Sequence, residues 1–420
     1  MPYDSRILRE APSAISPVDR ERLMLSTTLD LQSRVVLYEE MMERYSDSHP
    51  FLLVRQAEML NLLGSGPLAV DLYCKAQNIL SRMGIVDKSF DALLEKYSAQ
   101  VNDQVSGALA KSRQSKYYQT WKPTKQHRFP TNLPYPPPSS QEVKDLLQAL
   151  KPPGSSFFAP YLRKLVIETN LVESTFLLTE EVHLLPVAVN SLLLIPPAIA
   201  QSTQDLVRRG ISGGTVTCLP ESVLKDPTRI KSILNDTLAA YELLGALVTN
   251  TEDLDKAAIR RIHACLTKTC RFNDVHYIPA GTTRTETRKT VIVTGTYNIE
   301  CCPFPDVDAE VQYICKMAKV NLFYCGWNWI KSWHNPFATA SWIHLILVRC
   351  HPFEDGNGRL ARLLASIPLM KHGYPPISIV STQRPDYYAA INTAYRGDHG
   401  AFVQCMLQGM QEAITSVQSL

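Results

Sequence analysis

The 420-residue sequence predicts a mainly α-helical protein. Apolar residues recur at helical spacing in both halves of the chain, and residues 16–110 contain no strand signal. The exception is the segment 283–295, in which residues 290–294 are all β-branched and a glycine follows. These observations predict an all-helical core with a short β-hairpin flap, preceded by a separate helical region.

Residues 1–110 are predicted to form that separate helical region. Ser16 is a suitable capping residue before Pro17. Further along, the spacing resembles a tetratricopeptide helix pair, with small or apolar residues at the predicted crossing: Leu53, Ala57 and Leu60 on one helix, and Ala69, Tyr73 and Ala76 on the next. Only one repeat is legible, so an amphipathic helical hairpin packed on the rest of the protein is an equal alternative.

Residues 111–160 are predicted to be an interdomain linker. Six basic residues between 111 and 128 are followed by Pro-rich stretches at 134–138 and 152–153. Proline favours extended backbone and ends regular elements. We interpret the basic run as solvated linker rather than as a binding surface for an acidic partner.

Composition excludes several classes of protein. Lys+Arg 43 against Asp+Glu 40 gives a net charge of +3, without the basic field typical of nucleic-acid binding. The ten cysteines lack zinc-site spacing, including the pairs Cys301–Cys302 and Cys265–Cys270, and are interpreted as free thiols in a reducing compartment. The N-terminus has no signal-peptide core, and prolines interrupt the apolar window 184–200. The sequence thus predicts a cytoplasmic or nuclear protein without a membrane span.

The segment 351–362, His-Pro-Phe-Glu-Asp-Gly-Asn-Gly-Arg-Leu-Ala-Arg, carries the clearest chemistry. A predicted helix over 336–348 leads into it, and a second helix follows until the Gly-Tyr-Pro-Pro stop at 373–376. A histidine can accept a proton, a carboxylate can hold Mg²⁺, and glycines opening a helix expose backbone N–H groups to a phosphate. Arg359 and Arg362 are spaced to share one helix face. This set of residue types suits a nucleoside triphosphate.

The same segment matches the signature of Fic domains, His-x-Phe-x-Asp/Glu-Gly-Asn-Gly-Arg-x-x-Arg, and the chain resembles that family over residues 161–420. An insertion is predicted at about 187–231. Typical Fic domains move AMP from ATP to a protein hydroxyl. The resemblance therefore implies a protein adenylyltransferase with ATP as co-substrate and a Ser, Thr or Tyr hydroxyl of a target protein as acceptor.

The resemblance implies a role for each motif residue. His351 is expected to be the general base, assisted in catalysis by Asn357 and Arg359, and Asp355 is expected to hold Mg²⁺ or Mn²⁺. Phosphate binding falls to a larger set of residues: Gly356, Asn357, Gly358, Arg359 at the β-phosphate and Arg362 at the γ-phosphate. Phe353 is expected to anchor the turn in the core.

The adenine site is less complete in the sequence. Tyr388 and Asn392 are the predicted walls, whereas Tyr395 stands where the family commonly has asparagine. The flap is expected to hold the target by strand addition, which tolerates varied target sequences.

A second resemblance concerns an inhibitory helix, predicted at about 161–183. One class of Fic proteins has the pattern Ser/Thr-x-x-x-Glu-Gly/Asn before the core, and residues 169–174 fit it except that Ser174 replaces the final glycine or asparagine. Glu173 is expected to pair with Arg362 and so to restrain the enzyme. In that class the same glutamate also activates water to remove AMP, so a de-AMPylating activity is expected as well.

Several alternatives remain open at the sequence level. Related scaffolds transfer phosphoryl or phosphocholine groups, although Gly358 stands where kinase-like members usually have lysine. A non-catalytic helical scaffold is the alternative from another class. The helical N-terminal region resembles animal Fic proteins that act on an endoplasmic-reticulum heat-shock chaperone, which makes such a chaperone a candidate target, and a homodimer is a candidate assembly.

Overall fold

The structure, a computed structural model, describes residues 3–45, 49–149, 158–178, 221–272, 277–293, 297–319 and 335–418. The chain divides into two compact units. The N-terminal unit consists of Met1–Tyr117 with Arg271–Ile278 and Arg284–Ile292. The C-terminal unit consists of Tyr118–Cys270, Pro279–Thr283 and Val293–Leu420. The prediction of a mainly α-helical protein is confirmed, with one two-stranded sheet among the described residues.

The N-terminal unit is built from paired helices. They are α1 (Arg6–Arg9), α2 (Pro17–Leu25), α3 (Leu31–Tyr45), α4 (Pro50–Leu62), α5 (Gly66–Arg82) and α6 (Lys88–Gln114). Ser16 caps α2 by accepting the Asp19 N–H at 3.2 Å, as its position predicted. The six residues of the predicted α4–α5 crossing are buried, so the helical hairpin is present. Its assignment to the tetratricopeptide class stays a prediction.

The C-terminal unit is built around two neighbouring buried helices, which are named α13 and α14 below. Before them lie α7 (Ser140–Ala149), α8 (Phe158–Val172), α9 (Pro227–Val248) and α10 (Lys256–Thr267); α11 (Arg284–Thr287) belongs to the N-terminal unit, and α12 (Val307–Lys319) follows. The central pair is α13 (Pro336–Cys350) and α14 (Asn357–Lys371), and the chain continues through α15 (Arg384–Tyr395) and α16 (Gly400–Gln418). All residues of α14 except Gly358 and Lys371 are buried, so its polar side chains must find partners inside the protein.

Local sequence explains where α13 begins and ends. Asn335 accepts the N–H groups of Phe337 at 3.1 Å and Ala338 at 3.0 Å, and Pro336 occupies the first helical position, where its missing N–H is harmless. His351 ends the helix in the left-handed region with φ +49°. The motif therefore starts at a sharp change of chain direction.

The predicted flap contains a short pair of strands. Strands β1 (Ile292–Val293) and β2 (Ile299–Glu300) pair, and the preceding Arg284–Thr287 forms a helical turn. The other edge of β2 is paired with the chain at Gln119, whose carbonyl accepts the Glu300 N–H at 3.0 Å.

The linker prediction for 111–160 differs from the structure at both ends. Helix α6 continues through Gln114 because Ala, Leu, Lys, Arg and Gln at its end have good helix propensity, and Ser140–Ala149 forms α7. The predicted inhibitory helix also ends earlier than expected, with α8 stopping at Val172. Most of the predicted 187–231 insertion, together with the apolar window 184–200, lies outside the described residues. Within the described part of the chain, every helix is too short or too polar to cross a membrane.

Candidate active site

The loop between α13 and α14 folds the motif into a tight turn. Gly356 precedes α14 with φ +75°, a conformation that a side chain would strain. A Cβ at this position would lie 3.0 Å from Cγ2 of Thr267 and 3.2 Å from Nε2 of His263. Glycine is thus required by both backbone conformation and space.

His351 is half-buried. Its Nδ1 lies 3.4 Å from the Val348 carbonyl, a contact in which a proton on Nδ1 would be donated to that oxygen. In that tautomer Nε2 is the basic nitrogen, as a general base requires.

Phe353 anchors the loop, as predicted, with no exposed surface. Its ring stacks on His263 of α10, with ring centroids 3.6 Å apart and planes 4° apart. Nδ1 of His263 accepts the Gly281 N–H at 3.0 Å, so Nε2 carries the proton and donates to the Asp355 carbonyl at 2.9 Å. Burial lowers the pKa of His263 to about 4, which keeps this bridge neutral. Sequence reasoning missed His263, since nothing in its local pattern distinguishes it from any histidine on a buried helix face.

Asn357 closes the loop with its side-chain amide. Its Oδ1 accepts the Phe353 N–H at 3.0 Å and its Nδ2 donates to the Phe353 carbonyl at 2.9 Å. Both ends of the amide therefore pair with backbone groups of a buried turn, which need partners. Its predicted part in phosphate binding stays a prediction.

Glu173 lies directly over the start of α14. A Cβ built on Gly358 would be 2.2 Å from Oε1 of Glu173, much closer than van der Waals contact. The glutamate carboxylate is therefore at the helix N-terminus, where the exposed N–H groups and the helix dipole favour an anion. A phosphate bound at the same glycine would have to displace it.

Each nitrogen of the Arg362 guanidinium has a hydrogen-bond partner inside the protein. Its Nε donates to Thr169 Oγ1 at 2.9 Å, Nη2 donates to the Thr169 carbonyl at 2.9 Å, and Nη1 donates to the Tyr387 hydroxyl at 2.9 Å. The predicted pair with Glu173 is present, with Nη2 2.7 Å from Oε1. Burial opposes the charge of Arg362, but Tyr387 and Glu173 outweigh this effect and the pKa is raised above its ordinary value.

Tyr387 links Arg362 to a further buried side chain, His344 of α13. Its hydroxyl lies 2.8 Å from Nε2 of His344, so it accepts from the arginine and donates to the histidine. Burial lowers the pKa of His344 well below its usual range, which keeps the imidazole a neutral acceptor. The guanidinium of Arg362 is therefore fixed on both α8 and α15.

Arg359 is buried but has fewer partners. Its Nη1 donates to Asn170 Oδ1 at 3.1 Å, and both terminal nitrogens lie 3.7 Å from Sγ of Cys270. The nearest carboxylate with which it pairs, that of Asp355, is 3.8 Å away. Arg359 and Arg362 thus both contact the end of α8, but only Arg362 is paired closely with an acid.

Asp355 has the exposure expected of a metal ligand that works with a substrate. Its side chain is 58% exposed, and its one ion pair among the described residues is the long one to Arg359. The described residues contain no group of three or more potential metal ligands. A hard cation would therefore combine this carboxylate with phosphate oxygens and water, a coordination that suits Mg²⁺.

The predicted adenine-site residues lie on α15. Tyr388 is 41% exposed, and Asn392, one turn further along, is half-buried with no hydrogen-bond partner for Oδ1 among the described residues. Tyr395 has a partner outside α15, since its hydroxyl donates to the Thr120 carbonyl at 2.8 Å. The Tyr395 ring is also within cation–π distance of Lys122 and Arg349. Its role here is to pack the C-terminal unit.

Ser174 ends the turn after α8. Its φ of +54° lies in the left-handed region, which explains why glycine or asparagine is usual at this position. The serine Oγ accepts from Arg384 Nη1 at 2.6 Å.

The region of the site is similar to a known protein family. Residues 253–369 match the model of the Fic/DOC family. The matched range includes α10, α13, the motif and most of α14.

Curated relatives match over a short part of the chain. A "Protein adenylyltransferase Fic" of Drosophila persimilis is 44% identical over 81 residues, which cover 18% of this chain and 16% of that protein. The Drosophila virilis protein of the same name is 43% identical over 81 residues, covering 18% of this chain and 17% of that protein. The chain thus spans about a sixth of the length of the curated relatives it matches.

Solved structures of Fic proteins are similar at low identity. Fic-1 from C. elegans is 17% identical with a TM-score of 0.41, covering 96% of this chain and 99% of that one. A Fic domain signalling protein from Bacteroides thetaiotaomicron is 15% identical with a TM-score of 0.45, covering 67% of this chain and 97% of that one.

Proposed function

We propose that the protein transfers AMP from ATP to a Ser, Thr or Tyr hydroxyl of a target protein and that Glu173 restrains this activity. The observation that carries the proposal is the Glu173 carboxylate at Gly358, where the N-terminus of α14 offers its N–H groups to an anion. A triphosphate has the charge and shape to replace a carboxylate there, with two arginines on the same helix.

In the transfer, His351 removes the proton of the target hydroxyl as its oxygen attacks the α-phosphorus. The bond between the α-phosphorus and the bridging oxygen breaks, and pyrophosphate leaves. The N–H groups through Gly358 stabilise the charge that develops on the α-phosphate, while Asn357 and Phe353 keep the turn in place. Arg359 binds the β-phosphate and Arg362 the γ-phosphate.

Asp355 would hold Mg²⁺, or Mn²⁺, against the phosphates. The fit rests on its exposed carboxylate and long ion pair to Arg359. When bound, the cation neutralises phosphate charge. Asp355, which lies just before the first turn of α14, would hold the cation there.

The proposed restraint of the transfer reaction rests on the ion pair between Arg362 and Glu173. Nη2 of Arg362, which would meet the γ-phosphate, is paired with Glu173 at 2.7 Å. ATP must therefore displace the glutamate both from the arginine and from the helix N-terminus. One charge-assisted contact is worth ~1.5–3 kcal/mol, so Glu173→Gly should raise transfer roughly tenfold to a hundredfold.

The test uses ATP labelled at the α- or the γ-phosphate. The Glu173→Gly protein should retain label from the α position only, and the additional change His351→Ala should reduce it roughly 10²–10⁴-fold because the base is lost. Label from the γ position would instead indicate a kinase, and label from neither would favour a phosphocholine transferase or the non-catalytic scaffold. Unchanged labelling in Glu173→Gly would contradict the restraint.

We also propose that Glu173 supports removal of AMP from the modified target by hydrolysis. Glu173 would take a proton from a water molecule as the water oxygen attacks the phosphorus of the AMP group. The bond from phosphorus to the target oxygen would break, AMP would leave, and His351 would return the proton to the hydroxyl. Wild-type protein should release AMP from a modified target, whereas Glu173→Gly should not. Equal release by both would contradict this role.

The acceptor is proposed to be an extended segment held by main-chain hydrogen bonds at the flap around β1 and β2. A heat-shock chaperone is the first candidate target, and a homodimer the first candidate assembly. Chaperone labelling by the Glu173→Gly protein and the sedimentation mass of the full chain test these two points.

A further inference from the structure

The end of α8 contacts the two motif arginines with different chemistry. Arg362 meets an acid, Glu173, and also has three hydrogen bonds to Thr169 and Tyr387. Arg359 meets a neutral amide, that of Asn170, at 3.1 Å. Its Nε–H has no hydrogen-bond partner among the described residues, although the side chain is buried. Arg362 therefore has a close acid partner, whereas Arg359 has only the longer ion pair with Asp355 at 3.8 Å.

Asn170 is itself fixed in one orientation. It has no exposed surface, and its Nδ2 donates to the Val166 carbonyl at 2.8 Å and to Thr237 Oγ1 at 3.1 Å. The Thr237 hydroxyl donates its own proton to the Ile233 carbonyl at 2.9 Å, so toward Asn170 it is an acceptor. With both acceptors on the nitrogen side, the amide oxygen must face Arg359.

We propose that Asn170 is a positioning residue that holds Arg359 for the β-phosphate of the nucleotide without neutralising its charge. This inference rests on the proposed function and extends it to a residue of α8 outside the motif. A carboxylate at the same position would form a short ion pair with Arg359 and compete with the phosphate. An amide of the same shape orients the guanidinium and adds no further negative charge beside it.

The arrangement also constrains how the restraint is relieved. Helix α8 carries both Glu173, which blocks Arg362, and Asn170, which supports Arg359. Movement of the Glu173 side chain alone would release Arg362 and keep the Asn170 contact with Arg359, whereas withdrawal of the whole helix would remove both contacts.

The test measures binding of ATP, ADP and AMP by calorimetry to the full chain carrying Glu173→Gly, with and without Asn170→Asp. Because AMP lacks a β-phosphate, Asn170→Asp should weaken ATP and ADP about tenfold or more and AMP less than about twofold. A role in general stability would weaken all three alike. Asn250→Asp is the charge-matched control: Asn250 is exposed, bonds Lys371 and should leave all three affinities unchanged.

Two milder variants keep the test decisive if Asn170→Asp does not fold. Asn170→Ala removes the support, and Thr237→Val removes one anchor of the amide; each should reduce ADP affinity more than AMP affinity. Equal losses for ADP and AMP, or unchanged ADP affinity, would overturn the positioning role. If the Glu173→Gly parent binds no nucleotide, the proposed function and this inference both fail. A selective ADP loss without label transfer from ATP would uphold the inference and reject the transferase.

Discussion

At the residue scale, the distance between Gly358 and Glu173 determines what can occupy the start of α14. The Cα of Gly358 has no side chain, and the carboxylate oxygen uses the space that a Cβ would fill. A phosphate needs the same space. The absence of a side chain at residue 358 thus leaves room for the Glu173 carboxylate and, in the proposed function, for a phosphate of the nucleotide.

Gly358→Ala should therefore have opposite effects on stability in two backgrounds. In the wild type the new Cβ collides with Glu173, and we expect a loss of about 1–3 kcal/mol in the free energy of unfolding. With Glu173→Gly the collision is gone, and alanine should stabilise the helix by up to about 1 kcal/mol. Chemical unfolding of the four proteins forms a double-mutant cycle. Equal effects in both backgrounds would mean that Glu173 does not lie against Gly358.

At the element scale, the start of α13 supports the position of the catalytic loop. Asn335 caps the helix with its side-chain oxygen, and its Nδ2 donates to the Leu133 carbonyl at 3.2 Å and the Pro134 carbonyl at 3.3 Å. The residue connects the helix that ends at His351 to the segment before α7.

Asn335→Ala should destabilise the protein by about 1–2 kcal/mol, since the cap is lost. Asn335→Asp keeps the capping oxygen and loses only the two donated bonds, so its loss should be smaller. Thermal unfolding of the two variants separates the contributions. An aspartate variant as unstable as the alanine variant would show that the cap contributes nothing.

At the scale of the whole molecule, buried neutral histidines make stability depend on pH. Burial lowers the pKa of His127, His263 and His399 to about 4, and that of His344 well below its ordinary 6.5. Between pH 4 and pH 6.5 the histidines of the unfolded chain bind more protons than the buried histidines of the folded protein. The free energy of unfolding should therefore fall as pH falls from 6.5 toward 4.

For His263 alone, the shift from 6.5 to about 4 corresponds to about 3 kcal/mol across that interval. His263→Gln should lower stability at neutral pH, since the bridge from Gly281 to the Asp355 carbonyl is disturbed, and should also reduce the slope of stability against pH. Chemical unfolding at several pH values measures both quantities. A variant with the wild-type slope would show that His263 does not titrate in this range.

The sequence by itself determined the helical class, the turn between α13 and α14, and the set of groups in the motif. These features depend on local rules: capping, glycine in left-handed backbone, and helical spacing of apolar residues. The capping bonds of Ser16 and Asn335 reach only two or three residues along the chain. The pair of Glu173 with Arg362 is an exception, since it came from a family resemblance rather than from local pattern.

Tertiary structure decided how these groups are used. Asn170 and Arg359 are 189 positions apart, and His263 and Asp355 are 92 apart, so only packing of α8 and α10 against the motif brings them together. Tyr395 likewise bonds the Thr120 carbonyl, 275 positions away along the chain. Partners of this kind depend on which buried polar group needs which neighbour, and a single chain read residue by residue does not contain that information.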